Sequence, residues 1–404
     1  MIKKILKYTR NLLILFIGVI SIYLINLFFM KPYSIDHFLG KELAMSLIDS
    51  PEALTYIGIF DRFNWLTKHN SKLSIPEEND LEIDIKGLED SIKTLYKYKD
   101  SNLSETQRIT KKIAIFDFEN NLKELKEFPY LDYPLNQIGG IHLNTIEFMS
   151  DMHPVRTKSE ADDYIKRVNL IKDVYEGVLK DLEKQAENGI FPPEFVYGHV
   201  ISQLNKFIDY SYEEHPLYTQ FMKKVNELDI TDDEVSNFNY EIKKAIDESV
   251  TPGFKLLLQF MLKTEKNANK NHGIWSQPGG DEYYKLRIRT YTTTDYSPED
   301  IHQMGLDEVE RITNRMKEIL TELEYDSSKS VGKLMNELNE NPNFLYADTP
   351  DRKEIVVNDY TEMVNEAIDV MSDYFHTMPN AKVVVKAVPE YSEQTTADGY
   401  YQSP

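Results

Sequence analysis

Nine histidines are the side chains best equipped for chemistry in this sequence: His37, His69, His142, His153, His199, His215, His272, His302 and His376. A helical zinc site needs two of them one turn apart, as in H-E-x-x-H, so that both rings face one ion and the Glu reaches its bound water. The closest pair, His142 and His153, is 11 residues apart. No G-x-S-x-G elbow, P-loop or G-x-G-x-x-G is present either. The absence of Cys excludes disulfides, Cys-zinc ribbons, iron–sulfur ligation, a thiol nucleophile and a lipobox anchor, whose lipid needs a Cys. His302, beside Gln303 and Met304, reads as a structural or exposed histidine before it reads as a ligand. Glu213-Glu214-His215 gathers donor atoms, but neighbours on a helix diverge, so it reads as a loop charge cluster. Asp162-Asp163 and Asp307-Glu308 are expected in first turns or on exposed faces, where acids serve the helix dipole and solvation. Residue chemistry alone yields no catalytic set.

The elements that would have to position these groups are mostly helices. Ser297-Pro298-Glu299-Asp300 is a helix start, with a capping Ser, Pro at the first helical position and acids in the first turn. Val309, Ile312, Met316, Ile319 and Leu323 follow at spacings of three and four, which predicts one buried face. Ala161, Tyr164, Val168, Ile171, Tyr175, Val178 and Leu182 form a similar face over 158–188, which Gly189 stops. Ser104 opens another helix, carrying Ile109, Ile113, Phe116 and Leu125 as far as Pro129. Further helices are expected over 193–211, over 232–264 with a bend at Pro252-Gly253, and over 352–377. Leu286-Arg287-Ile288-Arg289 alternates like a strand yet fits a helix equally well. Ala381 to Val388, rich in valine, predicts one strand with no evident partner, and the chain stops 16 residues later. The expected fold class is thus mainly α with a C-terminal orphan strand, as though the domain were interrupted.

Charge and hydropathy divide the chain unevenly. The net charge is −21, but residues 1–30 carry Lys3, Lys4, Lys7 and Arg10 and no acid. The acidic remainder repels nucleic-acid phosphates and contains no basic stripe, which argues against a nucleic-acid partner. An apolar share of 41% with 26 Tyr and 19 Phe supports a packed core and excludes a disordered chain. Leu12 to Met30 runs 19 residues without a charge, ~28 Å as a helix and enough for a hydrocarbon core. No small-residue cleavage site follows it, so it reads as an uncleaved anchor. The expected divisions are a basic cytoplasmic segment over 1–10, a single-pass membrane anchor over 11–30 and an exported helical domain over 31–404. The preceding positive charges place the N-terminus in the cytoplasm.

One block is distinctive. Ile274-Trp275-Ser276-Gln277-Pro278-Gly279-Gly280-Asp281-Glu282-Tyr283-Tyr284 leads to Tyr291-Thr292-Thr293-Thr294 and then to Ser297 through Val309. It resembles the bacterial family called domain of unknown function 885, which pairs a Gly-Gly-Asp-x-Tyr-Tyr segment and a Thr-rich link with an I-H-x-x-G-x-x-E-V helix. Gln137 to Gly140, Met152-His153-Pro154, Phe191-Pro192-Pro193 and Val388-Pro389-Glu390 agree in order, so the similarity covers roughly residues 45–404.

The resemblance implies a helical, zincin-like fold, export, membrane attachment and zinc-dependent peptidase activity. The family's metal motif, H-E-x-x-P-G-H, follows the segment matched by Tyr400-Tyr401, and this sequence stops before it. No catalytic residue carries over, and zinc is expected only in a full-length relative. Tyr284, Arg287, Tyr400 and Tyr401, nearest the missing motif, are the candidates for a substrate groove, set against ordinary helix packing. Gly279-Gly280 is expected to serve a tight turn. The expected function is the N-terminal part of a membrane-anchored metallopeptidase-like protein, inactive alone, with a peptide substrate or a separately encoded C-terminal half as partner. The alternative is a non-enzymatic extracytoplasmic domain that binds peptides or proteins.

Overall fold

The computed structural model describes residues 2–388 and 399–401. The helices, in chain order, are α1 (Ile2–Phe29), α2 (Ile35–Asp49), α3 (Pro51–Ile57), α4 (Asn64–Thr67), α5 (Asp80–Tyr96), α6 (Glu105–Glu127), α7 (Ile141–Glu147) and α8 (Lys158–Glu187). They continue as α9 (Glu194–Asp209), α10 (Pro216–Val225), α11 (Asp232–Ala245), α12 (Thr251–Thr264), α13 (Gly280–Thr292), α14 (Pro298–Glu322), α15 (Val331–Asn339) and α16 (Arg352–Met371). They fall into two compact units, residues 1–294 and 295–404.

In the first unit, α8 is the central helix. Thr157 caps its start by accepting a hydrogen bond from the Glu160 N–H, and Gly189 follows its end at φ 73°. All seven residues of its apolar stripe are buried. Packed against it, α12 brings Phe254 to 5.5 Å from Tyr175 and into a stack with Phe207 of α9. Gly253 makes this crossing possible, because a Cβ there would stand 2.9 Å from the Tyr175 ring. Where a bend is expected at Pro252, the preceding turn, Ile246–Val250, forms a π-helix and α12 begins just before the proline. Proline donates no backbone hydrogen bond, and the wider turn absorbs the resulting gap. Ser249 in that turn donates to the Asn169 carbonyl, tying it to α8.

The first helix, α1, is long and apolar enough over Tyr8–Phe29 to cross a membrane. Its exit is tightly folded. Asn26 donates to the Lys31 carbonyl and accepts from the Tyr33 N–H, and the Tyr98 hydroxyl donates to the Pro32 carbonyl at 2.8 Å. Lys31 sits over the Tyr98 ring, and Ile35 and Phe38 of α2 are buried against Leu95 and Tyr98.

In the second unit, Ser297 caps the start of α14 as expected, and with Asp300 it forms a full capping box. The apolar face of that helix departs from expectation. Val309, Ile312, Ile319 and Leu323 are exposed and Met316 is half-buried, while Leu320 is the buried residue. Helical spacing marks a face as apolar, but burial needs a second surface, and the described residues of this unit supply one only around Leu320 and Leu334. The strand expected over 381–388 is likewise absent. No ladder partner lies beside it among the described residues, and an extended segment becomes a strand only by pairing. The Pro389-Glu390 pair lies outside the described residues.

Candidate functional site

The distinctive block builds a turn and the helix behind it. Ile274–Ser276 forms a short 3-10 turn, Gly279 follows at φ 73°, and α13 begins at Gly280. A Cβ on Gly280 would stand 1.8 Å from the Ile274 carbonyl oxygen, so only glycine fits. The Gln277 side chain donates to the Phe191 carbonyl at 2.6 Å, and Asn269 donates to the Ser276 hydroxyl. Two stretches that agree with the family pattern, 191–193 and 274–280, are thereby locked together.

From this turn α13 presents Tyr284 and Arg287, one helical turn apart. Tyr284 is half exposed at 47%. Arg287 donates to both Glu124 oxygens of α6 at 3.0 and 3.3 Å and to the Tyr291 hydroxyl at 2.8 Å. The Tyr283 hydroxyl also donates to Glu124. Burial works against the Arg287 charge, but the Tyr291 hydroxyl, Tyr283 and Glu124 outweigh it and hold its pKa above the ordinary value. Burial, reinforced by Glu124, pushes Tyr283 up to about 12. Arg287 therefore pins α13 to α6, and a ligand anion there would compete with Glu124. Tyr400 and Tyr401 belong to the second unit, where both are exposed.

A polar network in the first unit has no counterpart in the sequence reading. Arg167 lies on the apolar stripe of α8, between Tyr164 and Ile171, and is fully buried. Its guanidinium donates to the Lys72 carbonyl (2.7 Å), the His69 carbonyl (2.9 Å), the Thr55 hydroxyl (2.7 Å) and His153 Nδ1 (2.9 Å). His153 therefore carries its proton on Nε2, which donates to the Glu160 carbonyl. Burial, with the Arg167 charge beside it, holds the His153 pKa well below its ordinary value. Burial also lowers Arg167 to about 10. An arginine at a stripe position was the available signal. Asp163 is buried rather than on an exposed face, because it accepts from Asn64 at 2.9 Å and pairs with Lys166. The network has every Arg167 nitrogen engaged and clamps the 51–72 segment onto α8.

The other histidines are dispersed. Fully buried His142 donates from Nε2 to Gln203, whose amide donates to the Gln137 carbonyl, and burial lowers its pKa to about 4. His215 is buried as the cap of α10, its Nδ1 accepting from the Leu217 N–H, and burial lowers it to about 4. Neighbouring Glu214 turns instead to Ser211. His302 is exposed on α14. Among the described residues no three His, Asp or Glu side chains come together to hold a metal ion. A zinc ion therefore does not fit the donors described here.

The second unit contains an open apolar groove of about 490 Å³, lined by Leu320, Leu323, Tyr325, Leu338, Phe344 and Leu345. In the first unit a space of about 10 Å³, room for one water, lies beside Tyr133, Tyr197 and the 191–192 stretch.

Comparison with known proteins places these features in context. The profile of a family described as "Bacterial protein of unknown function (DUF885)" matches residues 51–404. Two solved structures, both described as putative lipoproteins, are similar. The protein from Colwellia psychrerythraea is 25% identical, with a TM-score of 0.78 over 89% of this chain and 64% of its own. The protein from Shewanella oneidensis, 13% identical with a TM-score of 0.56, shares the fold over 86% of this chain and 59% of its own. This chain thus spans less than two thirds of the length of either. No curated protein matches it in sequence.

Proposed function

Since the chain belongs to the bacterial family of unknown function DUF885, we propose that it is the N-terminal part of a membrane-anchored, zinc-metallopeptidase-like protein, with a zincin-like fold completed by further polypeptide. The observation that carries this reading is the 64% share of the Colwellia protein that the chain spans while matching the family over 51–404. The family's H-E-x-x-P-G-H motif would hold the ion and supply the base, and zinc hydrolysis needs about three protein ligands and a base. On this reading the stretch on its own supplies scaffold and tether and is inactive without that motif. Tyr284, Arg287, Tyr400 and Tyr401 remain the proposed groove residues. The tether is α1, with the N-terminus cytoplasmic and the body outside. The Colwellia and Shewanella proteins are described as lipoproteins, but a lipid thioether needs a Cys and this chain has none.

Sequencing the coding DNA past codon 404 tests the reading. An H-E-x-x-P-G-H motif, in frame, frameshifted or separately encoded, supports it, and co-expression of the two parts should then yield bound zinc and chelator-sensitive peptide hydrolysis. Tightly bound zinc with hydrolysis by residues 1–404 alone would overturn it.

The apolar groove favours a second reading, a peptide-binding domain without catalysis. It expects saturable binding of apolar peptides that Leu323→Glu abolishes.

A further inference from the structure

The first unit carries an exposed apolar feature close in chain to α1. Tyr56, Ile57 and Ile59, then Phe63, Trp65 and Leu66, are all exposed, with Ile59 at 70% and Trp65 at 74%. Single exposed apolar side chains are ordinary, but these six and Phe60, seven within eleven residues, form a patch. The segment is firmly seated. Beneath the exposed side chains Asp61 accepts from Arg156 at 2.6 Å, Asn64 donates to Asp163 and accepts from the Asn70 N–H, and Thr67 meets His69.

Its charge sets it apart from the rest of an acidic chain. Arg62 and Lys68 are exposed, and no carboxylate among the described residues pairs with either. Asp61 is already taken by Arg156. The apolar exposure continues through Leu43, Met45 and Ile48 of α2, the helix whose His37 ring meets Tyr23 of α1 at 5.4 Å.

We propose that residues 56–68 form a second membrane contact, a monotopic patch whose rings enter the boundary between headgroups and acyl chains while Arg62 and Lys68 meet anionic lipid phosphates. Amphipathic aromatic rings favour that boundary, and cations favour an anionic surface. The polar seat holds the patch in shape before binding, which lowers the ordering cost. The proposal rests on the reading of α1 as a membrane anchor.

The chain contains two tryptophans, Trp65 and Trp275. The full chain with Trp275→Phe therefore reports on position 65 alone, and Trp65→Phe provides the control. Both are reconstituted in vesicles of phosphatidylcholine, with and without phosphatidylglycerol, and floated on a density gradient. The expected result is Trp65 emission shifted to the blue, quenched by brominated lipid and shielded severalfold from acrylamide, with Trp275 behaving oppositely. Arg62→Glu with Lys68→Glu should remove the dependence on phosphatidylglycerol. Floated protein whose Trp65 is open to acrylamide and untouched by brominated lipid overturns the contact and leaves the anchor standing. Shielding from both quenchers also overturns it, in favour of a protein partner. Failure to float overturns anchor and contact together.

Discussion

At position 167 a guanidinium stands where the stripe of α8 would admit an aliphatic chain. Its donors satisfy the His69 carbonyl, the Thr55 hydroxyl and His153 Nδ1 in buried contacts, and the Lys72 carbonyl in a part-buried one. Arg167→Met leaves those acceptors unpaired, and the expected loss is ~3–5 kcal/mol in urea unfolding of the detergent-solubilised chain. A loss below ~1 kcal/mol would contradict the clamp. His142 and His215 make a pH prediction. Their folded pKa values are near 4 and their ordinary value is 6.5, so the unfolded chain binds more protons between those limits. Stability is complete above about pH 6.5 and falls as the pH drops toward 4, by up to ~3 kcal/mol per ring. Urea midpoints that stay level over that interval would refute this. Such residues explain what the sequence conceals. A buried His and an exposed His read alike in one dimension, and Arg167 or Asp163 is recognisable only once its acceptors and donors, up to about a hundred residues away, are in place.

Among the elements, local signals were legible wherever the cause is local. The helix starts at Ser104 and Ser297, the termination at Gly189 and the stripe of α8 all depend on neighbours a few residues away. The punctuation at Pro252 was legible, but the π-helical turn that precedes it, Ile246–Val250, was not. The segment 286–289, ambiguous by alternation, is helical within α13. Two glycines separate steric need from habit. Gly280→Ala forces a Cβ against the Ile274 carbonyl oxygen and should cost more than ~3 kcal/mol, whereas Gly305 has open space around it in α14. There Ala should add ~0.5–1 kcal/mol through helix propensity. Equal thermal shifts for the two variants would show that the turn at 274–280 is not the rigid support described. Tyr284 and Arg287 were legible as groove candidates while their shared helix stayed undecided, and the engagement of Arg287 with Glu124 was not legible, because α6 lies more than 150 residues earlier.

For the whole molecule, the second unit is the informative part. It buries Leu320 and Leu334 and leaves much of α14's apolar face in solvent. Within residues 1–404, Leu320→Ala should cost ~2–4 kcal/mol in the unfolding of that unit, and Ile312→Glu less than ~0.5 kcal/mol. On the proposed reading, co-expression with a C-terminal part carrying the H-E-x-x-P-G-H motif should reverse the order of tolerance by making Ile312→Glu disruptive, read as loss of co-purification. If Ile312→Glu is already severe alone, the face is covered within this chain. The exposure of that face also explains why the apolar spacing of α14 misled: periodicity marks the apolar side of a helix without saying what, if anything, covers it.

The junction after α1 has a consequence for reach. Asn26 closes the chain onto Lys31 and Tyr33, and Tyr98 grips the Pro32 carbonyl, so there is no slack stalk between helix and body. On the proposed reading of α1 as a membrane anchor, anything captured on the first unit is met at one altitude above the lipid, and the body swivels only when the helix spins about its own axis. A target that drifts farther out must come down to it.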